Sequence, residues 1–173
     1  MTLSPRYVEG HNLLAGKSVL ITAAAGAGIG FAAAKKCVEE GCRALFISDI
    51  HEGRTAQAVA ALKALGGTQQ VFGRVANVTD EAQVQALVSA AEEELGGVDV
   101  LVHNAAVGAL KPFDALRTSH WDLTLESSLR PFWLLTKLAP LRGGASVIGL
   151  SSLGSRTFVP GYAAMGAAKA GME

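Results

Sequence analysis

The stretch Ser18–Gly30, SVLITAAAGAGIG, decides the fold. Ser18-Val19-Leu20-Ile21-Thr22 has the make-up of a short buried strand, and a turn of small residues follows it. Beyond the turn, Ile29, Ala33, Cys37 and Val38 are the apolar positions of an amphipathic helix that ends at Gly41. Strand, glycine-rich turn and helix, in that order, open a dinucleotide-binding sheet. Gly26, Gly28 and Gly30 let the backbone turn sharply and leave space for a pyrophosphate. The first free N–H groups of the helix then point at that anion, and the helix dipole favours it.

The same alternation continues outward from this unit. A second strand, Arg43–Ser48, closes on Asp49, an acidic residue about 20 positions beyond the glycine turn. A carboxylate there accepts hydrogen bonds from adenosine ribose hydroxyls and repels a 2′-phosphate, which favours NAD; Arg54 nearby leaves NADP open, and a helix-capping role for Asp49 is the alternative. A helix with apolar Ala58, Val59, Ala61, Leu62 and Leu65 stops at Gly66-Gly67. A third strand runs over Val71–Val78 and a helix over Thr79–Leu95, begun by Thr79-Asp80-Glu81 and stopped by Gly96-Gly97. The fourth strand, Asp99–His103, leads into Asn104-Ala105-Ala106. A long helix from Ser119 should kink or split at Pro131, a fifth strand spans Ala145–Leu150, and a last helix begins near Gly161. The reading is an α/β fold: a Rossmann-like, doubly wound parallel sheet in three layers, with ligands at the carboxyl ends of the strands. Residues 1–16 form an N-terminal arm and 17–173 the NAD(P)-binding domain.

Composition narrows the partners. Fifteen basic residues balance fifteen acidic ones, so no global field attracts nucleic acid or a membrane surface. No apolar run approaches a membrane span, and the first residues do not read as a signal peptide. Cys37 and Cys42 are too few for a disulfide framework and have no His pair beside them, so both read as reduced and structural, with no metal site. These features point to a cytoplasmic protein.

Taken together, the glycine turn, Asp49, Ala76-Asn77-Val78, His103-Asn104-Ala105-Ala106, the Ser151-Ser152 strand end and a Tyr…Lys pair resemble the short-chain dehydrogenase/reductase family in order and spacing. The resemblance implies an NAD(P)-dependent oxidoreductase. Its cofactor contacts would be Ala24, Gly26, Gly28, Ile29, Asp49, Asn77, Val78, Asn104, Ala105, Ala106 and Lys169. It also implies a homo-oligomer (dimer or tetramer) and a C-terminal part, absent here, that shapes the substrate pocket. Departures are visible as well. Ala23-Ala24 replace Thr-Gly, Asn77 replaces an Asp, and Ser128 stands where many members carry an active-site Asn.

The largest departure lies in the catalytic stretch. The common pattern is Tyr-x-x-x-Lys with a Ser thirteen residues before the Tyr; counted back from Lys169, the Tyr position holds Met165, and Ser152 lies thirteen before it. Tyr162 is seven residues before Lys169, and this Tyr-x6-Lys spacing is similar to that of enoyl-[acyl carrier protein] reductases. On a continuous helix Tyr162 and Lys169 would share a face about 10 Å apart. The roles implied are Tyr162 as hydrogen-bond and proton donor to the developing oxyanion, Lys169 on the nicotinamide ribose, and Ser152 orienting the substrate oxygen. The leading expectation is reduction of an acyl thioester, an enoyl group foremost. A carbonyl reductase or alcohol dehydrogenase for lipid-like substrates, and a non-catalytic nucleotide binder, are the alternatives.

Overall fold

The computed structural model describes residues 10–66 and 70–173. Five parallel strands, β1 (Ser18–Ile21), β2 (Ala44–Asp49), β3 (Val71–Val75), β4 (Val98–His103) and β5 (Leu141–Gly149), form one sheet in the order β3-β2-β1-β4-β5. The helices are α1 (Ile29–Glu39), α2 (Glu52–Ala64), α3 (Glu81–Leu95), α4 (Thr118–Ser128), α5 (Arg130–Leu138) and α6 (Ala163–Met172). Strand order reverses between β1 and β4, so a crevice opens at the carboxyl ends of those two strands.

Both faces of β1 and β2, and the end of β4, are buried, which is why those strands read as apolar runs rather than as alternating patterns; β5 and most of β3 are more exposed. Leu20, Phe46 and Leu101 point into one core with residues of α3 and α5. Val19, Ile21, Leu45, Ile47 and Val102 point into the other, against α1 and α2. Cys37 and Cys42 are free thiols in or beside this second core; burial first of all pushes them up to about 12 and about 11, which keeps them protonated and inert.

Element boundaries follow local chemistry. Asp80 caps α3 by accepting from the Gln83 amide at 3.1 Å, so that helix starts at Glu81 and not at Thr79. Gly41 and Gly96 take left-handed conformations (φ +71° and +63°) where α1 and α3 end. The long helix expected through Pro131 is two helices, because proline has no N–H to donate and occupies the first turn of α5. Strand β3 ends at Val75, earlier than expected, and the chain from Ala76 turns away to form the crevice wall. β5 begins at Leu141, before the expected Ala145, and has an irregular register opposite Val98–Val100. Three helix positions expected to be apolar contacts, Ile29, Ala61 and Leu65, are instead exposed. Ile29 is 70% exposed because it opens α1 at the crevice, where Gly30, Ala34 and Val38 face the sheet, and Leu65 lies past the end of α2. Gly67 lies outside the described residues.

Of the expected N-terminal arm, residues 10–16 are described. They lie along the end of α1: the His11 and Leu13 amides donate to the Glu40 carboxylate at 2.8 and 3.2 Å, and Ala15 bridges to Cys42.

One buried polar group stands apart. The Ser48 hydroxyl on β2 is fully buried and has no hydrogen-bond partner among the described residues. Its desolvation is uncompensated, so Ser48→Ala should stabilise the fold by about 1 kcal/mol, read as a higher urea midpoint at unchanged slope.

Candidate active site

The site is built where β1 and β4 end. The Thr22 hydroxyl oxygen accepts the backbone amides of Asn104 (3.2 Å) and Ala105 (3.3 Å). The Asn104 side-chain amide donates to the carbonyls of Thr22 (3.2 Å) and Ala23 (2.8 Å). Asn104, expected as a cofactor contact, therefore spends its amide group holding the glycine turn against β4. Ala23 needs that support, since its φ of +50° is left-handed and costs a non-glycine residue about 1–2 kcal/mol. Gly30 is the close approach in the turn: a Cβ there would lie 2.5 Å from both the Ala23 carbonyl oxygen and the Asn104 side-chain nitrogen.

His103, whose place at the end of β4 suits a hydrogen-bonding residue rather than an acid or base, completes this network. It is 1% exposed; Nε2–H donates to the Ser128 carbonyl at 2.9 Å, so Nδ1 accepts from the Thr22 hydroxyl at 3.3 Å. One imidazole thus joins β1, β4 and the α4–α5 junction. Ser128, at the position of the family's common active-site Asn, is fully buried and contributes its carbonyl here.

The N-terminus of α1 is free to meet an anion. Its N-cap, Gly28, makes no side-chain cap, and a Cβ at Gly28 would meet nothing within 4 Å. Beside it lies a cleft of about 430 Å³ whose walls include Asp49, Arg54, Asn77, Val78, Ala105 and Ala106. Asp49 does not cap α2, whose N-cap is His51. Its carboxylate accepts from the Ala25 amide (3.3 Å) and the His51 amide (3.1 Å) and pairs with Arg54 at 3.4 Å. Asn77 turns its side-chain oxygen to the Thr79 amide (3.1 Å) and hydroxyl (2.9 Å). Ala24 is fully buried beneath the turn, so its side chain belongs to the core.

Tyr162, Ser152 and Lys169 lie at the other end of the crevice. Tyr162 is the N-cap residue of α6, with φ −107° and ψ 9°, and not a residue of the helix. The separation expected along a continuous helix face therefore does not apply. Its hydroxyl donates to Ser152 Oγ at 3.0 Å. Lys169 is 6% exposed and its ammonium donates to the Leu150 carbonyl at 2.5 Å; burial lowers its pKa below the usual lysine range. Met165, at the family's usual tyrosine position, is buried with its terminal methyl packed on Gly108 and beside Thr124. The loop after β5 is tied down at Glu173, whose carboxylate accepts from Ser151 (2.6 Å), Ser155 (2.7 Å) and Arg156 (2.7 Å) and is pushed down to about 2 by these hydrogen bonds, with the Arg156 charge adding to them.

Comparison with known proteins fits this geometry. Residues 23–173 match the family described as Enoyl-(Acyl carrier protein) reductase. The chain belongs to the short-chain dehydrogenase/reductase family. Among short-chain dehydrogenase/reductase relatives, it is 40% identical over 163 residues to a Mycobacterium tuberculosis (5R,7aS)-5-hydroxy-7a-methyl-1-oxo-2,3,5,6,7,7a-hexahydro-1H-indene-carboxyl-CoA reductase, covering 90% of this chain and 61% of that protein. It is 34% identical to a D-threitol dehydrogenase of Mycolicibacterium smegmatis, over 92% of this chain and 61% of the relative. The chain thus spans about three-fifths of these curated relatives. A Mycobacterium smegmatis short-chain dehydrogenase structure superposes with a TM-score of 0.92 at 34% identity, covering 98% of this chain and 70% of that one. A 7α-hydroxysteroid dehydrogenase complexed with NADH and 7-oxo glycochenodeoxycholic acid superposes with a TM-score of 0.84 at 28% identity, covering 96% and 65%.

The buried imidazole makes a prediction. Burial above all, and then the nearby Lys169 charge, lower His103 from 6.5 to about 4, against the opposing Ser128 hydrogen bond. Between those pH values the unfolded chain binds a proton that the native protein refuses, so stability falls as pH drops through that window. The loss should approach about 3 kcal/mol by pH 4. His103→Asn should flatten this part of the profile in urea titrations taken at several pH values.

Proposed function

We propose that the protein is an NAD(H)-dependent reductase whose reacting centre is a carbon bearing oxygen on an acyl-thioester or similarly bulky, lipid-like substrate. The Tyr162–Ser152 hydrogen bond carries this reading. Two hydroxyls 3.0 Å apart can both donate to a single oxygen, the arrangement needed where negative charge collects on the carbonyl being reduced. The relatives support the substrate class: one is named as a carboxyl-CoA reductase, and one structure holds NADH with an oxo-steroid conjugate.

A bound nicotinamide dinucleotide supplies the hydride. The uncapped amides of α1 would hold its pyrophosphate, and the Asp49 cleft its adenosine. Tyr162 swings its O–H from Ser152 to the substrate oxygen and delivers the proton as charge builds there. Ser152 donates to the same oxygen and fixes its position. Lys169 uses one N–H on Leu150 and keeps two donors for ribose hydroxyls, with its charge buried close to the chemistry.

A second reading, enoyl reduction, draws on the matching family description and on the Tyr-x6-Lys spacing. There the same Tyr162 hydroxyl would meet a thioester oxygen and Ser152 would be dispensable.

Nicotinamide absorbance separates the two. With NADH and purified protein, an acetoacetyl thioester should be turned over, Tyr162→Phe should lower kcat at least about 100-fold, and Ser152→Ala at least about tenfold. Turnover of a crotonyl thioester alone, insensitive to Ser152→Ala, would establish the enoyl reading instead. NADH should be preferred to NADPH. Asp49→Asn, which keeps one acceptor oxygen but removes the charge, should shift the preference toward NADPH about tenfold, measured as the ratio of dissociation constants.

A further inference from the structure

We propose that Gly154 is a positioning residue for the Tyr162 hydroxyl, a seat that lets this tyrosine act from the N-cap of α6 although the helix position usual for it holds Met165. The inference rests on the reading of Tyr162 as the proton donor.

Two contacts and one backbone turn build the seat. A Cβ at Gly154 would fall 2.2 Å from Tyr162 Cδ1 and 2.5 Å from Cε1, so the ring lies directly on the Gly154 backbone. A Cβ at Gly166, one turn into α6, would fall 2.6 Å from the Gly154 carbonyl oxygen, so the helix is pressed onto the same peptide. Gly161, immediately before the tyrosine, has φ +73°, which turns the chain into the N-cap without a steric penalty. The ring is thereby held between the turn at Leu153–Ser155 and the first turn of α6, and its hydroxyl reaches Ser152 two residues before Gly154.

The two glycines differ in what blocks a methyl group. At Gly166 the obstacle is backbone, which cannot give way cheaply. At Gly154 it is only a side-chain ring, and the backbone there is not left-handed. Gly154→Ala should therefore fold, with the Tyr162 ring displaced by an ångström or more. A misplacement of about 1 Å costs on the order of 100-fold in rate.

The test is a double-mutant cycle on the whole protein, with Gly154→Ala, Tyr162→Phe and the double variant. Gly154→Ala should lower kcat 10- to 100-fold while the NADH dissociation constant stays within twofold. The double variant should be no slower than Tyr162→Phe alone, because both changes remove one contribution. A second readout does not depend on turnover. The chain has two tyrosines, Tyr7 and Tyr162, so tyrosine labelled with carbon-13 at Cζ gives two signals. The Tyr162 signal should move in Gly154→Ala in the same direction as in Ser152→Ala, which removes its acceptor. Wild-type turnover in Gly154→Ala beside an impaired Tyr162→Phe, additive losses in the double variant, or an unmoved Cζ signal would overturn the seat alone. Undiminished turnover in Tyr162→Phe would overturn the proton-donor reading and the seat with it.

Discussion

The structure depends on one hydroxyl. Thr22, fully buried where β1 ends, accepts two amides from the chain leaving β4 and donates to His103. A parallel sheet splits at its switch point, since consecutive chains leave in opposite directions there, and the parting backbones expose groups that strand pairing no longer satisfies. Thr22 and Asn104 satisfy those groups from the side. The crevice can then stay open to a ligand without leaving an unpaired peptide in its floor.

From that floor the site divides into two kinds of surface. The side of α1 and β2 offers uncapped backbone amides, small residues and the carboxylate of Asp49, which already serves as an acceptor for its own loop. On the side of β5 and α6, a buried ammonium, two hydroxyls and a loop clamped by Glu173 form a stiffer, more polar corner. Preorganisation of this kind is where catalytic stabilisation originates, because dipoles already in place need not reorient as charge develops.

The alternation of strands and helices was legible because two-sided burial writes itself as short apolar runs between glycines, and Pro131 announced the break between α4 and α5. Asp49 was legible from its distance to the glycine turn. What the sequence hid depends on long-range geometry. His103 finds its partners 81 and 25 residues away, and nothing local to Val102-His103-Asn104 signals either. Tyr162 was read as a helix residue because its spacing to Lys169 suits a helix face; its true place follows from the left-handed Gly161 and from the bare surface of Gly154, neither of which periodicity can report. Ile29 carried the helix period but opens the helix at the crevice, where the period no longer implies burial.

The contact between Met165 and Gly108 has a consequence for how this site takes substitutions. A side chain at position 108 would overlap the methionine's terminal methyl, 2.3 Å from where a Cβ would stand. The two positions are therefore coupled through packing. The methionine's flexible end can move aside for a methyl group at position 108, so a substitution there would be absorbed by repacking of Met165 against Thr124. A change at either position is thereby felt at the other, so the effects of substitutions at 108 and 165 should not add.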